Sequence, residues 1–219
     1  MQYAEGGSLR QYLNNKSHNL DWNKKFSILD SILKGLNDIH DAGLIHRDLH
    51  SGNVVLFNSG NACITDFGFC RSINYDLSNE NQVYGVVPYV APEVLCRHEY
   101  TQSADIYSFG ILLNEVATGI PPHHNYPHDI ILASKIIEGF RPMIDYKITP
   151  PCIIQLIQRC WNADPKVRPT ARELKDQFDT FNFSGFQIQL EPMPSNFQAI
   201  KSPEDFTDSG VIDLHIPNS

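Results

Sequence analysis

Apolar residues recur along this chain at two spacings, and the longest stretch has the helical one. Trp22, Phe26, Leu29, Leu33 and Leu36 follow one another at steps of three and four, which lines one face of a helix. Asp21 stands where an N-cap belongs, and Gly43 where such a helix stops. A shorter helix is predicted over 8–14, with Ser8 as its cap. Three β-rich pieces follow at 44–46, 54–57 and 62–65, with a turn at 58–60. Residues 69–90 show neither period and read as a long loop, a length that in a compact domain usually serves function. Helices then return. One is capped by Ser103 and runs to Thr118 before Gly119; others cover 129–138 and 152–161. The last is announced by a capping box, Thr170 with Glu173, ahead of Leu174 and Phe178. No internal repeat is visible. The predicted class is mainly α with a few short strands.

After Phe181 the pattern fails. Pro192, Pro194, Pro203 and Pro217 interrupt a stretch rich in Ser, Asn and Asp. The expected division is a folded unit over 1–181 and a mostly disordered acidic tail over 182–219. That tail holds five acids against one base, half of the chain's net charge of −8. The remainder is only mildly acidic, which argues against a nucleic-acid partner. Hydrophobic content of 42% suffices for an ordinary core. No apolar run approaches the roughly 18 residues a membrane span needs, and residues 1–15 are too polar for a signal peptide. The five cysteines are scattered and form no C-x-x-C pair. They read as reduced thiols of a cytoplasmic, intracellular protein, not as a disulfide framework or a zinc site.

Three motifs carry the chemistry: His46-Arg47-Asp48-Leu49-His50-Ser51-Gly52-Asn53, then Asp66-Phe67-Gly68, then Ala91-Pro92-Glu93. In this order and spacing they resemble the H-R-D-L-x-x-x-N, D-F-G and A-P-E signatures of eukaryotic protein kinases. Any one of these acids alone would read as a turn residue; the set does not. The resemblance covers 1–181, the hinge and large lobe, and is nearest to the tyrosine-kinase-like group. It implies a protein-kinase-like C-terminal lobe with the small lobe absent from this chain. No glycine-rich loop or phosphate-anchoring lysine stands ahead of the hinge, so the small lobe itself is an expected partner, beside protein substrates. ATP and Mg²⁺ are the implied cofactors. Asp48 would accept the proton of a substrate hydroxyl, while Asn53 and Asp66 offer the oxygen ligands that Mg²⁺ prefers. The backbone of Gln2 and Ala4 would meet adenine, with Val55 beneath the purine. Arg47 would contact a phosphorylated activation loop, for which Ser72, Tyr75, Ser78 and Tyr84 are the candidate acceptors. Glu93 and Arg168 resemble a buried family ion pair. Asp105 matches an acid that steadies the catalytic-loop backbone, and His46 and Phe67 match members of a packed column. Trp161 reads as core.

Two departures from the family look coupled. His50 stands where Ser/Thr kinases usually carry Lys, and Val86 where they usually carry Thr. In the family those two side chains meet each other and the catalytic Asp, so losing both strands neither. Two readings of His50 stand: a donor to the transferred phosphate, counted with Asp48 as catalytic, or a ring that only packs. His50 also lacks the Ala/Arg pattern of tyrosine kinases, which favours Ser/Thr specificity over Tyr. Two functions compete: phosphoryl transfer from ATP to a protein hydroxyl, and a truncated kinase-like binding module without catalysis.

Overall fold

The computed structural model describes residues 6–16, 20–57, 60–74, 83–181 and 211–212. In chain order the elements are α1 (Leu9–Lys16), α2 (Trp22–Asp41), β1 (Leu44–Ile45), β2 (Val54–Leu56), β3 (Ala62–Ile64), β4 (Arg71–Ser72), β5 (Val83–Tyr84), α3 (Pro92–Leu95), α4 (Gln102–Thr118), α5 (Ile130–Ile137), α6 (Pro151–Cys160), α7 (Ala171–Thr180) and β6 (Val211–Ile212). The mainly helical class is as expected.

The predicted faces bury. Asp21 caps α2 by accepting from the Lys24 N–H, and Leu29, Leu33 and Leu36 are fully buried. Phe26 stacks on Phe178 of α7 with ring centroids 5.1 Å apart. The capping box of α7 is present in both directions. At the centre lies α4, in which every residue from Ala104 to Thr118 is buried. A helix enclosed on all sides needs close neighbours. Gly110 provides one such approach: a Cβ there would stand 2.6 Å from the Cβ of Cys160 on α6. A left-handed Gly119 (φ 72°) ends the helix.

Two expectations change. Ser103 is not the cap of α4. Thr101 takes that position, and the Ser103 hydroxyl donates instead to the Pro165 carbonyl at 2.6 Å. A hydroxyl in the first turn has lost its capping geometry and serves a neighbouring segment. The stretch 69–90 is not one long loop. It holds β4, antiparallel to β1 with Ile45 opposite Arg71, as well as β5 and a 3₁₀ turn at Val87–Tyr89. Of 182–219 the described residues are 211–212, which form β6: it pairs antiparallel with β5, Val83 opposite Ile212 and Tyr84 opposite Val211. Residues 58–59 of the predicted turn lie outside the described residues. Among those residues, no helix is long and apolar enough to cross a membrane. All five cysteines are free thiols.

Two buried charges hold distant segments. The Arg168 side chain, wholly enclosed, meets both oxygens of Glu93 at 2.7 Å and also donates to the Asn162 and Ser103 carbonyls. One guanidinium thus ties α3 to the start of α4 and to the segment before α7. Truncating either partner strands the other charge. Glu93→Ala or Arg168→Ala should lower unfolding stability by about 3–5 kcal/mol, read from urea denaturation.

Lys25 is the second. Its Nζ reaches the Ala117 carbonyl at 2.6 Å and lies 5.0 Å from the centroid of the Trp22 ring. Burial lowers its pKa from 10.5 to about 8. Below pH 8 both folded and unfolded chains hold this proton, and the cost of enclosing the charge is in force. Between pH 8 and 10.5 only the unfolded chain keeps it, so raising the pH relieves that cost. The stability of wild type relative to Lys25→Met should therefore rise across this window, by up to about 3 kcal/mol, in denaturation series at stepped pH.

Candidate active site

The loop joining β1 to β2 carries the first motif, and its backbone is bent at Arg47, which has a left-handed φ of 72°. A non-glycine residue there costs on the order of 1–3 kcal/mol and persists only where neighbours enforce it. Asp105 of α4 enforces it. Its Oδ2 accepts from the His46 N–H at 2.8 Å and its Oδ1 from the Arg47 N–H at 2.9 Å. His40 Nε2 completes the grip, 3.0 Å from Oδ2. His46 accepts from the Asp48 N–H through Nδ1, which leaves Nε2 to donate to the Thr65 carbonyl at 3.2 Å.

This bend presents Asp48 to Asn53. The Asn53 Nδ2 donates to Asp48 Oδ2 at 2.8 Å and to the Asp48 carbonyl at 2.9 Å. Asn53 is also joined to the second motif, because its carbonyl accepts from both the N–H (2.8 Å) and hydroxyl (3.1 Å) of Thr65. Asp66 comes next in the chain. It too is left-handed, at φ 62°, exposed, and accepts from the Gly68 N–H at 3.3 Å. Phe67 meets the His46 ring edge-on with centroids 5.5 Å apart. Asp48 and Asn53 are thus in direct contact, and Asp66 follows a residue bonded to Asn53. Val55 lies on β2 opposite Cys63, with a bridge to Ser8.

The remaining candidates fall in different places. Ser72 is exposed on β4, where its hydroxyl accepts from the Asn74 N–H. Tyr84 is half-buried on β5 with its ring against Phe69, centroids 5.0 Å apart. Gln2, Ala4, Tyr75 and Ser78 lie outside the described residues. The Arg47 guanidinium sits 4.4 Å from the Tyr100 ring centroid and 5.2 Å from that of Tyr84. The Tyr100 hydroxyl donates to the Tyr84 carbonyl and accepts from the Tyr84 N–H at 2.8 Å. Burial pushes that phenol up. Gly85 then brings the chain to Asp48: a Cβ on it would lie 3.6 Å from Oδ1. Val86 lines a small cavity shared with Asp48, Leu49 and Tyr89.

His50 is enclosed beside Asp48, with Nε2 3.5 Å from Asp48 Oδ1. Behind it lies a polar chain that the sequence reading missed. The Ser51 and Tyr89 hydroxyls donate to Glu115 of α4 at 2.9 and 2.6 Å, and Arg10 of α1 reaches both Ser51 and His50. Burial pushes the Glu115 carboxyl up against the pull of its two hydroxyl donors, and raises Tyr89 well above an ordinary phenol. Glu115 carried a signal: a carboxylate in a helix otherwise dominated by apolar residues demands buried partners. Arg10 carried none beyond its charge.

The sequence model of the family described as "Protein tyrosine and serine/threonine kinase" matches residues 1–178. The chain belongs to this protein kinase family. It is 31% identical over 211 residues to Serine/threonine-protein kinase STE20 of Candida glabrata, covering 96% of this chain and 23% of that protein. It is 34% identical over 178 residues to Probable serine/threonine-protein kinase drkC of Dictyostelium discoideum, 80% of this chain and 24% of that protein. Human Serine/threonine-protein kinase TNNI3K is 33% identical over 215 residues, 96% of this chain and 24% of that protein. The chain thus spans about a quarter of the length of these relatives. Through its two bonds Asp105 is the support on which the 46–53 loop rests. Asp105→Asn keeps one acceptor where two N–H groups need one each. It should cost about 1.5–3 kcal/mol of stability in chemical denaturation.

Proposed function

We propose that this chain forms the substrate-binding lobe of a kinase of the tyrosine-kinase-like group, which moves the γ-phosphoryl group of ATP to a protein serine or threonine hydroxyl. The observation that carries it is the contact of Asp48 with Asn53, joined through Thr65 to Asp66. The names of the relatives above favour serine and threonine over tyrosine as acceptors. Adenine would lie against the backbone of Gln2 and Ala4, over Val55.

The donor set suits Mg²⁺. Asn53 spends its amide nitrogen on Asp48, so what it has left to offer is a carbonyl oxygen, and Asp66 offers an exposed carboxylate. Among the described residues, no group of three or more His, Cys, Asp or Glu could hold a metal. Bound there, Mg²⁺ would neutralise charge on the phosphate oxygens. The protein's own part is to hold and move a proton. Asn53 fixes one oxygen of Asp48, and the other can accept a hydrogen bond from an alcohol and then its proton. Nearly all of Asp48 is shielded, at 2% exposure, so the carboxylate has few competing water partners. Phosphorylation of Ser72, Tyr75, Ser78 or Tyr84 would place charge on the segment that borders it.

The test uses the full-length protein that carries this chain. Asp48→Asn should lower kcat by about 10²–10⁴-fold while leaving ATP binding intact. Turnover within a few-fold of wild type would refute the role of Asp48. The rival reading, a binding module without catalysis, is separated by a thermal shift: ATP with Mg²⁺ should raise the melting temperature, and Asp66→Asn should abolish that rise.

A further inference from the structure

We infer that Arg10 is a positioning residue for Asp48, acting through the ring of His50; this rests on the kinase reading above. Two donors converge on one nitrogen of that ring. The Gly52 N–H reaches His50 Nδ1 at 3.0 Å and the Arg10 guanidinium reaches the same atom at 3.3 Å. A nitrogen that receives two N–H groups presents its lone pair, so these bonds assign the ring proton to Nε2. Nε2 is the nitrogen that faces Asp48 Oδ1, 3.5 Å away. Asp48 is therefore bonded by Asn53 on Oδ2, while the imidazole edge faces Oδ1 at 3.5 Å and leaves that oxygen able to accept from an alcohol. A ring turned over would lose both bonds at Nδ1 and set carbon against the carboxylate.

The surroundings leave the ring little choice. A Cβ on Gly52 would stand 2.7 Å from His50 Cε1 and 2.8 Å from Nδ1, so only glycine lets the backbone come this close. Tyr89 covers the ring with centroids 5.8 Å apart. The Arg10 Nε also reaches the Ser51 hydroxyl, at 3.5 Å, and Ser51 donates its own hydrogen bond to Glu115. A planar fork can address imidazole and hydroxyl together, which a lysine cannot do in the same way. The ring of His50 thus has a set orientation, with Nε2 toward Asp48, and the residue that sets it comes from α1, outside the 46–53 motif.

The proposal is tested on the full chain by nitrogen-15 NMR of the histidine rings, with His50 assigned from its loss in His50→Ala. Wild type should show Nε2 protonated and Nδ1 at the position of a hydrogen-bonded lone pair. Arg10→Met should move the Nδ1 resonance toward that of a free lone pair. Nδ1 protonated in wild type, or a Nδ1 resonance unmoved by Arg10→Met, overturns the proposal. If loss of the cation near Glu115 unfolds Arg10→Met, the same comparison is made in Glu115→Gln, with and without Arg10→Met. In the full-length kinase, Arg10→Met should lower kcat about tenfold, and no further in a His50→Ala background. Equal losses in both backgrounds overturn the positioning role even where the resonance moves. Absence of turnover in wild type, with the resonance behaving as expected, overturns the kinase reading and the positioning role but not the contact itself.

Discussion

Everything at the site follows from one carboxylate accepting two backbone N–H groups. Asp105 holds His46 and Arg47 in a bend that an arginine would not adopt by preference. Without that bend the side chain of the next residue, Asp48, would not meet Asn53. The carboxylate is positioned in turn by α4, whose enclosure on every side fixes it as firmly as any element of the molecule. Strain at the loop is thus carried by packing in the core, which is the general pattern for bent backbone at chemical sites.

The same helix contributes a second carboxylate with a different task. Asp105 addresses the backbone of the 46–53 loop, whereas Glu115 addresses side chains: Ser51 within the loop and Tyr89 from the segment that follows Gly85. Arg10 extends this network into α1, and His50 returns it to Asp48. Four segments far apart in sequence meet in one buried polar cluster. Such clusters specify a unique arrangement when their members are satisfied.

Much of this was legible in the sequence. The apolar spacing of α2 and the Thr170–Glu173 box are local signals, and both elements formed as read. The loop over 46–53 stood out by motif, and Asp105 and the Glu93–Arg168 pair could be placed through the same resemblance. What escaped was of two kinds. Strands of two residues, β4, β5 and β6, are too short to show a period, and each exists only because a distant partner offers its edge. Polar residues with several possible partners were the other kind. Ser103 looked like a cap and bonded across to Pro165 instead, and Arg10 carried no sign of the partners it meets. Competition among partners is settled in three dimensions, where sequence spacing gives no vote.

The pairing of β5 with β6 has a practical side. Both backbone groups of Tyr84 are engaged by the Tyr100 hydroxyl on one edge of β5. Alternation in an antiparallel ladder then makes Val83 and Ile212 the pair that exchange backbone hydrogen bonds on the other edge. Beyond Gly85, two residues further on, lies the carboxylate of Asp48. Residues 211–212 are thereby anchored to the strand that leads to Asp48. Labels, probes and inserted sequences at 211–212 would disturb that strand, and so belong elsewhere on the chain.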